Sequence, residues 1–219
     1  MPPLYLLLFL VLGVFLATII QLQLLSIAFH KLGLSPHGAL LLMLGTLFGS
    51  SINIPVARVY ATAGFPPDLP NPRRGRIWPP ADLTKTGQTI IAVNLGGCLI
   101  PVGIALYLVI RQLVNPMDLL VALLVVTTAS YVFSRPVPGI GIAMPALLAP
   151  LITVMTALIL APENAAPLAF SSGVLGVLLG ADILHLRAIR HMGVRIASIG
   201  GAGTFDGVFL TGIIAVLLA

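Results

Sequence analysis

Apolar residues run along this chain in long unbroken stretches, without the alternating or one-sided patterns of soluble strands and helices. Seven stretches stand out, near residues 4–29, 37–57, 88–110, 117–134, 142–161, 165–187 and 196–218. Each approaches the roughly 20 residues that a helix needs to cross the hydrocarbon layer. Turn residues divide them: Gly33-Leu-Ser-Pro36 ends the first, Asn115-Pro116 separates the third from the fourth, and Pro162-Glu-Asn164 separates the fifth from the sixth. The pattern predicts an all-α fold: a polytopic transmembrane bundle of about seven spans with several broken helices. Residues 1–219 are expected to form a single transmembrane domain with no separate soluble one.

Composition agrees with this pattern. Hydrophobic residues make up 58% of the chain and charged residues only 8%, too few to cover a soluble surface. Met1-Pro-Pro precedes the first apolar run without a Lys or Arg, so a stable first span is expected there and not a cleavable signal peptide.

Charge then sets the orientation. Nine of the basic residues fall on one side of the expected spans: Arg58, Arg73, Arg74, Arg76, Lys85, Arg135, Arg187, Arg190 and Arg195. Only Lys31 and Arg111 fall on the other. The positive-inside rule puts the first set, and the N-terminus, in the cytoplasm, with the C-terminus on the outer face of the inner (plasma) membrane of a bacterium or archaeon. Membrane lipid is the expected partner. The net charge of +5 sits in membrane-flanking loops, so no nucleic-acid binding is expected. The one long connection, about 59–87, is cytoplasmic on this reading, and its many prolines favour an extended path. Trp78 beside Arg73, Arg74 and Arg76 suits the headgroup level.

Two carboxylates lie inside apolar runs, where retention of a charge points to function. Asp182 precedes Arg187 by five residues, about 8 Å of helix, and Asp206 follows Arg195 by eleven, about 16 Å if all were helical. Gly200, Gly201 and Gly203 make the entry to the last span a poor helix. Three further features gather at the same end: Gly49-Ser-Ser-Ile-Asn53-Ile-Pro55, Asn94-Leu-Gly-Gly97 with Pro101, and Arg135-to-Pro145; His185, three residues after Asp182 on the same helix face, could tune the pair, although a polar helix-end residue is the better account of it. Non-helical backbone at membrane depth persists where protein or trapped water satisfies it, so these segments are expected to line one polar cavity in the cytoplasmic half. Asp182 and Asp206 are the candidate catalytic pair. Asn53, Asn94, Gly201, Gly203, Thr204 and His185 are the candidate lining residues.

Two close carboxylates tend to share a proton, one drawing a proton from water while the other donates to a carbonyl. This arrangement resembles the intramembrane aspartyl proteases of the Gly-x-Gly-Asp type, which place one Asp near the end of a span and the second in a glycine motif opening a nearby span. On that resemblance Asp182 is the first and Asp206 the second, with Gly201 and Gly203 as the glycines and a transmembrane-segment peptide as substrate. Gly-Ala-Gly-Thr-Phe-Asp206 is two residues longer than the motif. The wider stretch Gly200-Gly-Ala-Gly-Thr-Phe-Asp-Gly-Val-Phe-Leu-Thr-Gly212 is similar to a prokaryotic family of multi-pass membrane proteins of unknown function (domain of unknown function 1614), which implies no activity.

A transporter is the alternative: broken helices around a polar site bind solutes and ions, and Asn53, Asn94, Asp182 and Asp206 could coordinate a cation through oxygen. Plain helix packing is a third reading of the buried aspartates, and close helix contact accounts best for Gly45, Gly49, Gly173, Gly176 and Gly180. No cofactor is expected. Cys98 is the only cysteine, and the chain has no His-Glu-x-x-His, Gly-x-Ser-x-Gly or phosphate-loop string.

Overall fold

Among the described residues three helices are long and apolar enough to cross a membrane: Leu10–Lys31, Pro116–Phe133 and Pro162–Ile183. They belong to a computed structural model that describes residues 3–61, 87–138, 140–201 and 207–219, with side chains from Leu10 onward. The proline-rich stretch with Trp78 and its arginines lies outside these residues, as do Gly203, Thr204 and Asp206.

The elements follow in chain order: α1 (Pro3–Lys31), α2 (Pro36–Gly49), β1 (Asn53–Tyr60), β2 (Gln88–Asn94), a π-helical turn (Leu95–Leu99) leading into α3 (Ile100–Ile110), and α4 (Pro116–Phe133). Next come β3 (Arg135–Val137), β4 (Gly141–Ala143), α5 (Leu148–Leu160), α6 (Ala165–Val177) with a π-helical turn at its end (Leu178–Ile183), β5 (Ile196–Ile199) and α7 (Gly207–Leu218). Helix starts follow local chemistry. Ser35 Oγ accepts from Gly38 N–H at 3.2 Å and Asn115 Oδ1 from Met117 N–H at 2.9 Å, in each case with a proline at the first helical position.

Four expected spans are shorter helices than the apolar runs suggested: Pro36–Gly49, Leu95–Ile110, Leu148–Leu160 and Gly207–Leu218. The 14 residues of α2 rise only about 21 Å, against a hydrocarbon layer of ~30 Å. Each shortfall falls at the end where the chain turns into a strand. Residues 53–57, 88–94, 142–143 and 196–199, expected as helix, are β-structure, so the fold is helical with a small sheet and not purely α. The physical reason is in the residues. Thr89-Ile-Ile91 is β-branched and Thr89 to Ala92 are buried on both faces, and such a strand reads as a continuous apolar run.

The sheet order is β1-β2-β5. β1 runs antiparallel to β2 from Asn53↔Asn94 to Tyr60↔Gln88, with an irregularity between Pro55 and Ala57. Pro55 is tolerated because β1 is an edge strand. β5 runs parallel to β2, from Ile90↔Ile196 to Val93↔Ile199. Ile91, Ile189 and Met192 form a small core beside this sheet, joined by Ile142 from the β3–β4 hairpin.

α6 is the central helix. Within the three long helices, 67% of the α6 window is buried, against 17% for α4 and 0% for α1. Phe170, Leu168 and Val174 of α6 meet Val126, Leu108, Phe209 and Val216 in the main core. Glycines let α4 approach it: a Cβ at Gly176 would lie 2.6 Å from Val126 Cγ1, and one at Gly180 would meet Ser130 Cβ at 2.8 Å and overlap the Thr127 carbonyl. Apolar side chains cover much of the outside, among them Ile110 at 77% and Leu41 at 70% exposure, a surface that suits lipid.

Candidate functional site

At the sheet end, α2 stops at Gly49 and the chain enters β1, while β2 stops at Asn94 and the chain enters a π-helical turn. The two breaks are pressed together. A Cβ at Gly96 would overlap both the Thr46 carbonyl and the Ser50 N–H, so this position requires glycine.

Asn94 joins the breaks chemically. Its Oδ1 accepts from Gly97 N–H at 2.7 Å, capping the turn. Its Nδ2 donates to the Ser50 carbonyl at 2.8 Å and to Asn53 Oδ1 at 3.1 Å. Ser198 of β5 also donates to Asn53 Oδ1. Asn53 and Asn94 are 1% and 0% exposed, so these bonds form without competition from water. Asn94→Ala removes a cap and two buried bonds together and is expected to cost about 2–3 kcal/mol. The exposed cap change Asn115→Ala should cost only about 1 kcal/mol. Unfolding of the two variants in mild detergent checks the difference.

Two residues beyond Ser198 the chain turns at Gly200, whose φ of +66° suits glycine and whose added Cβ would meet Cys98 Cβ at 2.6 Å. Gly200 N–H donates to Asp182 Oδ2 at 3.2 Å. Asp182 lies in the π-helical turn that ends α6 and is half-buried. Gly201 packs directly on Ser198, and a Cβ there would approach Asn53 Oδ1 to 3.2 Å. The turn 198–201 therefore touches Asn53 on one side and Asp182 on the other.

Of the expected lining residues, Asn53, Asn94 and Gly201 come together, with Asp182 on the far side of the same turn. His185 is otherwise engaged: its Nδ1 lies 3.0 Å from the Gly180 carbonyl, so that nitrogen carries the proton, and its ring packs on Tyr131 with centroids 4.9 Å apart. Gly203, Thr204 and Asp206 lie outside the described residues, between Gly201 and the start of α7 at Gly207. The Arg135-to-Pro145 segment reaches the same end through Ile142.

Ser198 and the Ser50 carbonyl were not legible as site groups in the sequence. A serine two residues before a glycine pair is a faint signal, and a backbone carbonyl gives none. Both asparagine oxygens are already engaged by N–H or O–H donors, Asn53 Oδ1 by two of them, which weakens the set of oxygen ligands that a cation would need. Among the described residues no group of three or more His, Cys, Asp or Glu is placed to hold a metal ion.

At the opposite end a pocket of about 350 Å³ is lined by Lys31, Leu113, Glu163 and Asn164 among others. Lys31 Nζ donates there to the carbonyls of Val216 and Leu217 at 3.3 Å each. A cation on the last carbonyls of α7 complements the helix dipole, which gives this lysine a structural task.

One family model, described as "Protein of unknown function (DUF1614)", matches residues 47–218. The match takes in every element from the end of α2 to α7 and leaves out α1. No curated protein and no solved structure matches the chain.

Proposed function

Since the chain belongs to the DUF1614 family of proteins of unknown function, whose description carries no chemistry, we propose from its own residues that it is an intramembrane aspartyl-protease-like enzyme. Asp182 and Asp206 form its catalytic pair, and a transmembrane-segment peptide is its substrate. The protein sits in the inner (plasma) membrane as a bundle of about seven spans, its N-terminus and sheet end cytoplasmic and its C-terminus on the outer side. The exposed apolar surface and the charge asymmetry of the loops support that placement.

One observation carries the catalytic reading: the bond from Gly200 N–H to Asp182 Oδ2. It ties the carboxylate at the end of α6 to the glycine turn that leads, six residues later, to Asp206. Asp206 is also bonded directly to Gly207, the first residue of α7. α7 packs along α6, a Cβ at Gly212 meeting Val174 Cγ2 at 2.8 Å and Phe170 Cδ2 at 3.1 Å. Asn164 and Ala165 at the start of α6 line one pocket with Ala219 after the end of α7, so the two helices run antiparallel and stepping back from Gly212 to Gly207 moves about five residues along α6 from that contact, toward Asp182. A pair so held shares one proton. The ionised carboxylate takes a proton from water, and the water oxygen bonds to the scissile carbonyl carbon. The protonated carboxyl gives its proton to the carbonyl oxygen. The tetrahedral diol then collapses, the C–N bond breaks, and the leaving amine takes a proton.

The test is reconstitution of the protein in liposomes with single-span peptides and analysis of the products by mass spectrometry. Cleavage that is lost in Asp206→Asn and indifferent to ion gradients supports the reading. Solute accumulation driven by an ion gradient, without cleavage, would replace it with the alternative: a proton- or cation-coupled transporter that uses the same buried residues.

A further inference from the structure

The side-chain amide of Asn53 is one hydrogen bond short, and the network around it fixes which atom is open. Asparagine oxygen and nitrogen are told apart only by their partners. Here the partners start from backbone groups of fixed polarity. Gly97 N–H is a donor, so the Asn94 atom facing it is oxygen. The Ser50 carbonyl is an acceptor, so the other Asn94 atom is nitrogen. That nitrogen also faces Asn53, so the Asn53 atom it meets is oxygen. Ser198 Oγ takes the second lone pair of the same oxygen. Asn53 Nδ2 remains, buried and without an acceptor among the described residues.

A buried N–H group without an acceptor loses the free energy of a hydrogen bond. Several buried hydroxyls share this state, such as Ser130 and Thr153, but a hydroxyl can rotate toward a carbonyl of its own helix. Asn53 cannot, because its oxygen is pinned by two donors. With the oxygen saturated, the group can serve only something that accepts. Cations and hydrogen-bond donors are excluded. Across the turn 198–201 stands the Asp182 carboxylate, which disfavours an anion. A neutral carbonyl oxygen fits both constraints.

We propose that Asn53 Nδ2 is a substrate-binding donor that takes a backbone carbonyl oxygen of the bound peptide. The proposal rests on the proteolytic reading for the identity of the ligand, while the open donor stands without it.

The test uses the full-length protein in nanodiscs and a lysine-flanked Leu/Ala single-span peptide, with binding measured and not cleavage. In [15N]Asn-labelled wild type, the Asn53 Nδ2 protons are expected to move downfield as the peptide is added. Asn53→Asp keeps both accepted bonds and replaces the donor by oxygen. It is expected to bind the peptide about tenfold more weakly. Unmoved resonances, or unchanged affinity in Asn53→Asp, overturn the proposal. If the variant does not fold, the wild-type resonances decide alone. A peptide bound through Asn53 but never cut sinks the protease reading and leaves this one standing; a peptide cut equally well by Asn53→Asp does the reverse.

Discussion

Asp182→Asn is expected to lower peptide cleavage by about 10²- to 10⁴-fold, the range for loss of one general acid–base group. The change keeps the size and shape of the side chain and removes its charge. The asparagine oxygen can still accept from Gly200 N–H, as Asp182 Oδ2 does at 3.2 Å, so the turn keeps its anchor. Thermal unfolding in detergent should therefore shift little, while product formation over hours falls to near background. A variant that cleaves as fast as the wild type would remove Asp182 from the reaction. One that loses activity and stability together would make it a packing residue.

The second large effect is on stability. Gly96→Ala is expected to cost about 3 kcal/mol, at the upper end for overpacking. The added methyl has nowhere to go, since the atoms it meets, the Thr46 carbonyl and the Ser50 N–H, are backbone and not the tip of a flexible side chain. Relief requires α2 to move away from the turn 95–99, which stretches the bond from Asn94 Nδ2 to the Ser50 carbonyl. Gly103→Ala is the matched control: nothing lies within 4 Å of its Cβ position, and in a helix interior the change should be neutral or mildly stabilising. Equilibrium unfolding of both variants in the same mixed micelles checks the contrast.

These contrasts show what the sequence reveals and what it hides. Two of the long helices were readable to within about four residues. Runs expected at 117–134 and 165–187 became Pro116–Phe133 and Pro162–Ile183, because length, hydropathy and the Asn115-Pro116 cap all agree. Gly176 and Gly180 were readable as close helix contacts because small residues spaced by four lie on one face. The strands were hidden. Gln88–Asn94 is a buried apolar run, which periodicity cannot tell from helix, and its parallel partner Ile196–Ile199 lies about a hundred residues away.

The site was readable by residue type and not by arrangement. Asn53 and Asn94 stood out as polar residues at helix breaks, yet nothing local says that one donates to the other, because that bond depends on β1 pairing with β2 at Asn53↔Asn94. Ser198 entered only through the fold. His185 sits one helical turn from Asp182 in sequence, but the π-helical turn 178–183 directs its Nδ1 to the Gly180 carbonyl. A widened turn is a tertiary outcome, and the four residues between Ala181 and Leu186 do not encode it on their own.

The most direct measurement is the separation of the Asp182 and Asp206 carboxylates in a structure of the protein in a lipid bilayer. A shared-proton pair requires them within about one water molecule of each other, roughly 3–6 Å, beside the turn 198–201. Carboxylates more than roughly 8 Å apart, too far for one bridging water, or facing different helices, would contradict the catalytic pair.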